Sequence, residues 1–194
     1  MTPTMTPFAR VKTESFATRW MLASLMTGTT CVCARISAPL PFTPVPVTMQ
    51  VFAVLLSGLL LGRRWGTIAQ LQYLLLGAMG LPVFALGKGG IGVLFGITGG
   101  YLLSYPVAAG IVGWFSRRWP TQAGQLAGCA AGLGIVYGLG CLWMGLLSPV
   151  VLSLRAVLVM GAGWFVAWDA AKALLAVAIS SGLKSRFRGG MQGL

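Results

Sequence analysis

Six apolar runs, each bounded by charged residues, Pro or Gly, govern what this chain can fold into. A helix needs about 20 predominantly apolar residues to cross the hydrocarbon core of a bilayer. Runs near that length fall at 16–36, 47–61, 67–79, 98–115, 122–147 and 163–183. The second and third are short, and the Gly or Pro at their ends implies tilted or partly buried helices. The predicted fold class is all-α, a polytopic membrane protein built as a six-transmembrane-helix bundle. It divides into an N-terminal segment over 1–15, a helical domain over 16–183 and a basic tail over 184–194.

Charge sets the orientation. Of the 14 Lys and Arg residues, ten fall on one side of the six-span topology: Arg10, Lys12, Arg19, Arg63, Arg64, Arg117, Arg118, Lys184, Arg186 and Arg188. Only Arg35, Lys88 and Arg155 fall on the other, and Lys172 lies within the sixth run. Basic residues concentrate in cytoplasmic loops, so both termini are expected in the cytoplasm, with the chain multi-pass in a bacterial-type inner membrane. Trp65, Trp114 and Trp119 flank the two Arg-Arg pairs, as an interfacial aromatic belt requires. The first run follows Arg10 and Lys12 as a signal peptide would, but it has no A-x-A cleavage site and continues past Gly28, so a retained helix is expected. Pro106 predicts a kink in the fourth span. The segment 149–162 is apolar yet carries Arg155, and reads either as an interfacial helix or as part of a bent fifth span.

Composition removes whole classes of function. There is no His, and Glu14 and Asp169 are the only carboxylates among 194 residues. A conventional metal site lacks its ligands, and a His-dependent triad or general base is impossible. An intramembrane enzyme would be left with a Ser or Cys nucleophile and a Lys base. Cys31 and Cys33, spaced C-x-C, and the isolated Cys129 and Cys141 read as small packing residues. The net charge of +12 does not indicate nucleic acid, because the basic residues sit in short clusters between apolar runs.

The unusual sequence lies in the three outward connections. Residues 38–50 contain Pro39, Pro41, Pro44 and Pro46, which exclude a helix and imply a stiff extended segment, either a wall of a site or a plain interhelical loop. Residues 87–100 contain seven Gly around Lys88. Gly87, Gly89 and Gly92 match G-x-G-x-x-G formally, but no strand precedes them and no acid follows about 20 residues on, so a dinucleotide site is excluded. No phosphate loop is present either, and the chain cannot hydrolyse ATP itself. What remains is a backbone able to approach a ligand closely beside one cation, or a glycine-rich packing seam.

The third connection opens the last helix. Asp169 and Lys172 stand three apart on one helical face in an apolar surrounding. Each charge placed at the centre of a spanning helix costs about 3 kcal/mol by insertion scales, so the two are expected to pair, to face a cavity, or both. Trp164 and Trp168, at i and i+4, are expected to wall that site. The topology puts Lys88, Asp169 and Lys172 toward the outer half, a combination suited to a small, mainly apolar ligand with N–H donors and an anionic end.

Five stretches carry a family resemblance: Pro39-Leu-Pro-Phe-Thr-Pro-Val-Pro-Val-Thr-Met-Gln50, Leu59-Leu-Leu-Gly62, Tyr73-Leu-Leu-Leu-Gly-Ala-Met-Gly-Leu-Pro-Val-Phe84, Gly96-Ile-Thr-Gly-Gly-Tyr101 and Asp169-Ala-Ala-Lys172. They resemble the BioY family, the membrane-embedded substrate-binding (S) components of biotin transporters of the energy-coupling factor (ECF) type. The resemblance implies a bundle of the S-component type that binds biotin near the outer face, uses no cofactor, and is not an enzyme. It also implies a transmembrane coupling subunit and two cytoplasmic ATPase subunits as partners, and toppling of the S component when it docks. The family's binding residues map onto Lys88 and onto Asp169 and Lys172. The expected substrate set is Gln50, Lys88, Gly89, Gly90, Thr98, Gly99, Gly100, Tyr101, Trp168, Asp169 and Lys172. The family's G-P-T-G-G-Y reads Gly96-Ile97-Thr98 here, and its P-G-D reads Ala167-Trp168-Asp169. The A-x-x-x-A docking seam is not literal, and Ala23, Ser24, Thr27 and Gly28 offer a small-residue substitute. An S component for another small vitamin has the same architecture and stays open.

Overall fold

The computed structural model describes residues 15–148 and 153–189, with side chains through Leu183. The N-terminal segment up to Glu14, residues 149–152, and the side chains of Lys184, Arg186 and Arg188 lie outside the described residues.

Helix α1 spans Phe16–Arg35. Ser15 starts it as an N-cap, its Oγ accepting from the Thr18 amide at 3.2 Å, and Arg35 places a cation in the last turn. The proline run then forms an antiparallel hairpin, β1 over Ser37–Leu40 and β2 over Thr43–Thr48. Ser37 pairs with Thr48, Ala38 with Val47 and Leu40 with Thr43, and the ladder is irregular between Ala38 and Leu40. Pro39 occupies that irregularity and has no N–H to donate, which is where proline is tolerated in a sheet.

Helix α2, Gln50–Ala78, holds the second and third predicted spans without a connecting loop. The expected break around Arg63 and Arg64 is instead a single residue, Gly62, at φ 77° and ψ −175°. The chain folds back there: Gln70 Nε2 donates to Ser57 Oγ at 3.1 Å, and Gln50 donates to the Tyr73 hydroxyl. Only glycine fits this position, because φ is positive and a Cβ would overlap the Arg117 guanidinium. Nearly every residue of the first arm is buried, so an arm apolar all round serves as the central rod.

A 3₁₀ turn, Ala85–Gly87, and the short helix α3, Ile91–Leu94, lead into α4, Gly99–Arg118. The predicted kink at Pro106 does not interrupt α4, which is helical throughout, and the Pro106 carbonyl accepts from the Thr67 hydroxyl at 3.0 Å. Helix α5, Gln122–Leu147, begins at Thr121, whose hydroxyl accepts from the Gly124 amide. After it come α6, Leu154–Leu158, a π-helical turn over Val159–Gly163, and α7, Val166–Gly189. Where described, the 149–162 segment does not continue α5, which ends at Leu147, but runs through α6 and the π-helical turn into the last helical stretch, Leu154–Leu183. It packs on α5, with Val157 against Gly145 and its carbonyl beside Cys141.

Helix α2 packs most extensively on α4, then on α1 and α7, and α5 bridges α4 and α7. By length and composition, three of the described helical stretches can cross a membrane: Gln50–Ala78, Gln122–Leu147 and Leu154–Leu183. With α2 folded at Gly62, six helical rods form an all-α bundle carrying one small hairpin. All four cysteines are free, three of them buried.

Candidate functional site

Several polar residues of the apolar helices, Gln50, Tyr105, Tyr137, Asp169 and Lys172, line one cavity at the end of the bundle opposite the Gly62 reversal. Asp169 is 3% exposed and Lys172 7%, and Lys172 Nζ donates to Asp169 Oδ1 at 2.6 Å. The same ammonium donates to the Thr48 carbonyl at 2.6 Å, tying α7 to the end of the hairpin. The other carboxylate oxygen, Oδ2, accepts from the Tyr137 hydroxyl of α5 at 2.6 Å. A buried charge is tolerated when it is paired and its lone pairs are engaged, and both oxygens here have a charged or hydroxyl partner.

Across the cavity, Gln50 donates to Tyr73 and lies 3.5 Å from the Tyr105 hydroxyl. Tyr73 in turn donates to the Val83 carbonyl at 3.1 Å, so the amide orientation of Gln50 is set by a chain of partners running into the glycine-rich loop. Pro44, Pro46, Phe84 and Phe165 supply apolar walls, and Lys88 stands exposed at the rim. The cavity encloses about 90 Å³.

Of the predicted substrate set, Gln50, Lys88, Thr98, Tyr101, Asp169 and Lys172 line this one cavity. The Tyr101 hydroxyl donates to the Gly161 carbonyl at 3.0 Å and so holds α4 to the π-helical turn. Gly89, Gly90, Gly99, Gly100 and Trp168 do not line it. Gly90 has φ 94° and turns the loop, and Gly89 packs on the Leu81 carbonyl. A Cβ at Gly99 or Gly100 would strike the Leu94 carbonyl or Trp143, so these two are close-packing positions. Trp168 is 64% exposed and faces outward, as does Trp164, which instead meets Phe42 of the hairpin tip at 5.2 Å between ring centres. The expected tryptophan wall is therefore Phe165, one turn before Asp169 on the same face.

The small-residue set on α1 divides in the same way. Ala23 and Thr27 are buried inside the bundle, with the Thr27 hydroxyl 2.8 Å from the Ala69 carbonyl. Ser24 and Gly28 are exposed on the outer face.

Reading residues alone missed three tyrosines. Tyr73, Tyr105 and Tyr137 each carry one polar atom on a largely apolar side chain packed between helices, and a hydroxyl at such a position needs a partner across them. For Tyr137 that partner is the only carboxylate in the described residues.

These features define a polytopic membrane protein that encloses a ligand cavity at one end of a six-helix bundle, with a buried ion pair in its floor. The chain belongs to the BioY family, whose model matches residues 4–189. It is 44% identical over 162 residues to the biotin transporter BioY of Thermotoga maritima, covering 84% of this chain and 93% of that protein. It is 36% identical to the probable biotin transporter BioY of Pyrococcus horikoshii, covering 84% and 94% respectively. The fold matches the crystal structure of the S-component for biotin from an ECF-type ABC transporter with a TM-score of 0.81 and 27% identity, over 93% of this chain and 95% of that one. The family is one of transporter components, not enzymes.

Proposed function

We propose that this chain is the biotin-capturing subunit of an uptake transporter. The observation that carries the reading is the buried carboxylate of Asp169, held by Lys172 and Tyr137 in the floor of a cavity whose rim bears Lys88. Biotin presents two ureido N–H donors and a carbonyl on an apolar bicyclic ring, with a carboxylate at the end of a flexible chain. The ring goes inward, its N–H groups toward Asp169 and its polar edge toward Gln50, between Phe165 and the hairpin prolines. The carboxylate stays outward beside Lys88. A carboxylate oxygen has lone pairs beyond those already engaged, so Asp169 accepts from the ligand without losing Tyr137 or Lys172.

The cavity of about 90 Å³ is well below the roughly 300–1,000 Å³ of ligand pockets in general. Admission of biotin therefore requires the walls to part. The hairpin is the wall that moves in this account: its tip is held by Phe42 on Trp164 and by the Thr43 hydroxyl on the Met160 carbonyl at 2.7 Å.

The chain lies in the cell membrane with both termini cytoplasmic, the Arg-rich end facing inward. It carries no resident cofactor, biotin being cargo. A transmembrane coupling subunit docks on the exposed Ser24 and Gly28 face of α1, and two ATPase subunits supply the energy. Radiolabelled biotin binding to purified protein, competed with a panel of other vitamins, tests the reading. Biotin is expected to be the strongest competitor, and displacement by another vitamin at lower concentration would overturn it.

A further inference from the structure

The end of the bundle remote from the ion pair contains a second cavity, of about 640 Å³, where the start of α1, the Gly62 reversal and the end of α4 meet. Arg19, Arg63, Arg64 and Arg117 line it together with Trp65 and Ile68. Even leaving Arg19 aside, Arg63, Arg64 and Arg117 outnumber the acids that could answer them. The chain's two carboxylates are Glu14 and Asp169, and Asp169 is committed to Lys172 at the other end. Glu14, outside the described residues, can offset at most one of the four.

From this excess, we infer that the pocket holds the phosphate of an anionic phospholipid. Arginine presents a planar fork of donors matched to phosphate oxygens, and several converge here. Arg117 is fixed in place, its Nη2 donating to the Leu61 carbonyl at 3.0 Å, at the end of the first arm of α2. A cation there also meets the negative end of that helix. The surroundings distinguish a lipid from a free phosphate ion. Trp65 is 6% exposed and forms edge-to-face contacts with Phe16 at 6.0 Å and Trp20 at 5.6 Å, an aromatic group of the kind that sits at headgroup depth. Ile68 lines the same cavity, an apolar side chain that an acyl chain can use and a free anion cannot. Basic pockets between transmembrane helices recognise anionic headgroups by this combination of charge and apolar footing.

The test is native mass spectrometry of the full chain, delipidated and then given equal phosphatidylglycerol and phosphatidylcholine. The wild type is expected to retain phosphatidylglycerol with a preference of roughly tenfold or more, and Arg63→Gln/Arg64→Gln to reduce it to within about twofold. Arg19→Gln is expected to fall between the two, and Arg63→Lys/Arg64→Lys to keep most of the preference. Biotin binding at the far end reports folding and is expected to be unchanged in all of them. Equal retention of the two lipids by the wild type, or undiminished preference in the Gln variants, overturns the inference. Displacement of the lipid by millimolar inorganic phosphate assigns the pocket to a free anion instead. Loss of a coupling subunit from the Gln double variant, with lipid preference intact, assigns it to an acidic protein surface. Failure of biotin binding in the wild type counts against the proposed transport role and leaves the lipid result standing.

Discussion

At one end of the bundle Asp169 and Lys172 cancel each other in a buried pair 2.6 Å apart, whereas at the other Arg19, Arg63, Arg64 and Arg117 share a cavity with no acid from the described residues. The first end costs desolvation, offset in part by the pair itself, the Tyr137 hydroxyl and the Thr48 carbonyl. The second keeps its charge where water and lipid headgroups can answer it. A neutralised, enclosed end suits a ligand whose ring is polar but uncharged. A strongly basic, open end suits the membrane surface. On the two proposals, the same short chain separates selection of cargo from placement in the bilayer, with the central arm of α2 running between the two ends.

Changes that unbalance the buried pair are expected to have the largest effect. Lys172→Met strands Asp169 and frees the Thr48 carbonyl, and is expected to lower stability by about 3–5 kcal/mol. Thermal unfolding in detergent checks this, and adding Asp169→Asn to the same chain is expected to restore much of the stability without restoring biotin binding. Next comes Lys88→Ala, which removes the rim cation without touching a buried group. Biotin affinity is expected to fall by about ten- to a hundredfold, the scale of one charge-assisted hydrogen bond, with the unfolding temperature unchanged. A smaller loss is expected for Tyr137→Phe, which leaves Asp169 paired but takes away one donor: about fivefold in affinity by calorimetry. At the opposite end, Arg63→Gln/Arg64→Gln is expected to leave biotin affinity within about twofold, because screening and distance separate the two ends. A larger change there would break the separation.

Much of this was legible in the residues for definite reasons. Apolar runs punctuated by arginines announce spanning helices, and an acid and a base three apart in one such run announce a shared inner face. The reversal between the second and third runs was legible, but its contraction to the single residue Gly62 was not, because Leu61-Gly62-Arg63-Arg64 reads as an ordinary polar loop and the tight turn is packed by Arg117 from α4. The proline run is visibly non-helical, but pairing of Ser37 with Thr48 is a tertiary fact that the prolines alone do not specify. Trp168 shows a misjudged phase. With Asp169 inward, helical periodicity selects Phe165, Lys172, Ala173 and Ala176, all buried, and turns the adjacent Trp168 toward the outside. The glycines at 89, 90, 99 and 100 carry no side chain whose pattern separates lining a cavity from packing a helix, and here they turn and pack.

Calorimetric titration of biotin into purified wild type and Asp169→Asn, with unfolding curves on both, tests whether the buried Asp169 carboxylate holds the ligand. Roughly one biotin per wild-type chain is expected, with at least about a hundredfold weaker binding in the folded variant, since a buried ligand donor then loses a charged acceptor. Wild-type affinity in a folded Asp169→Asn protein would contradict that role of Asp169.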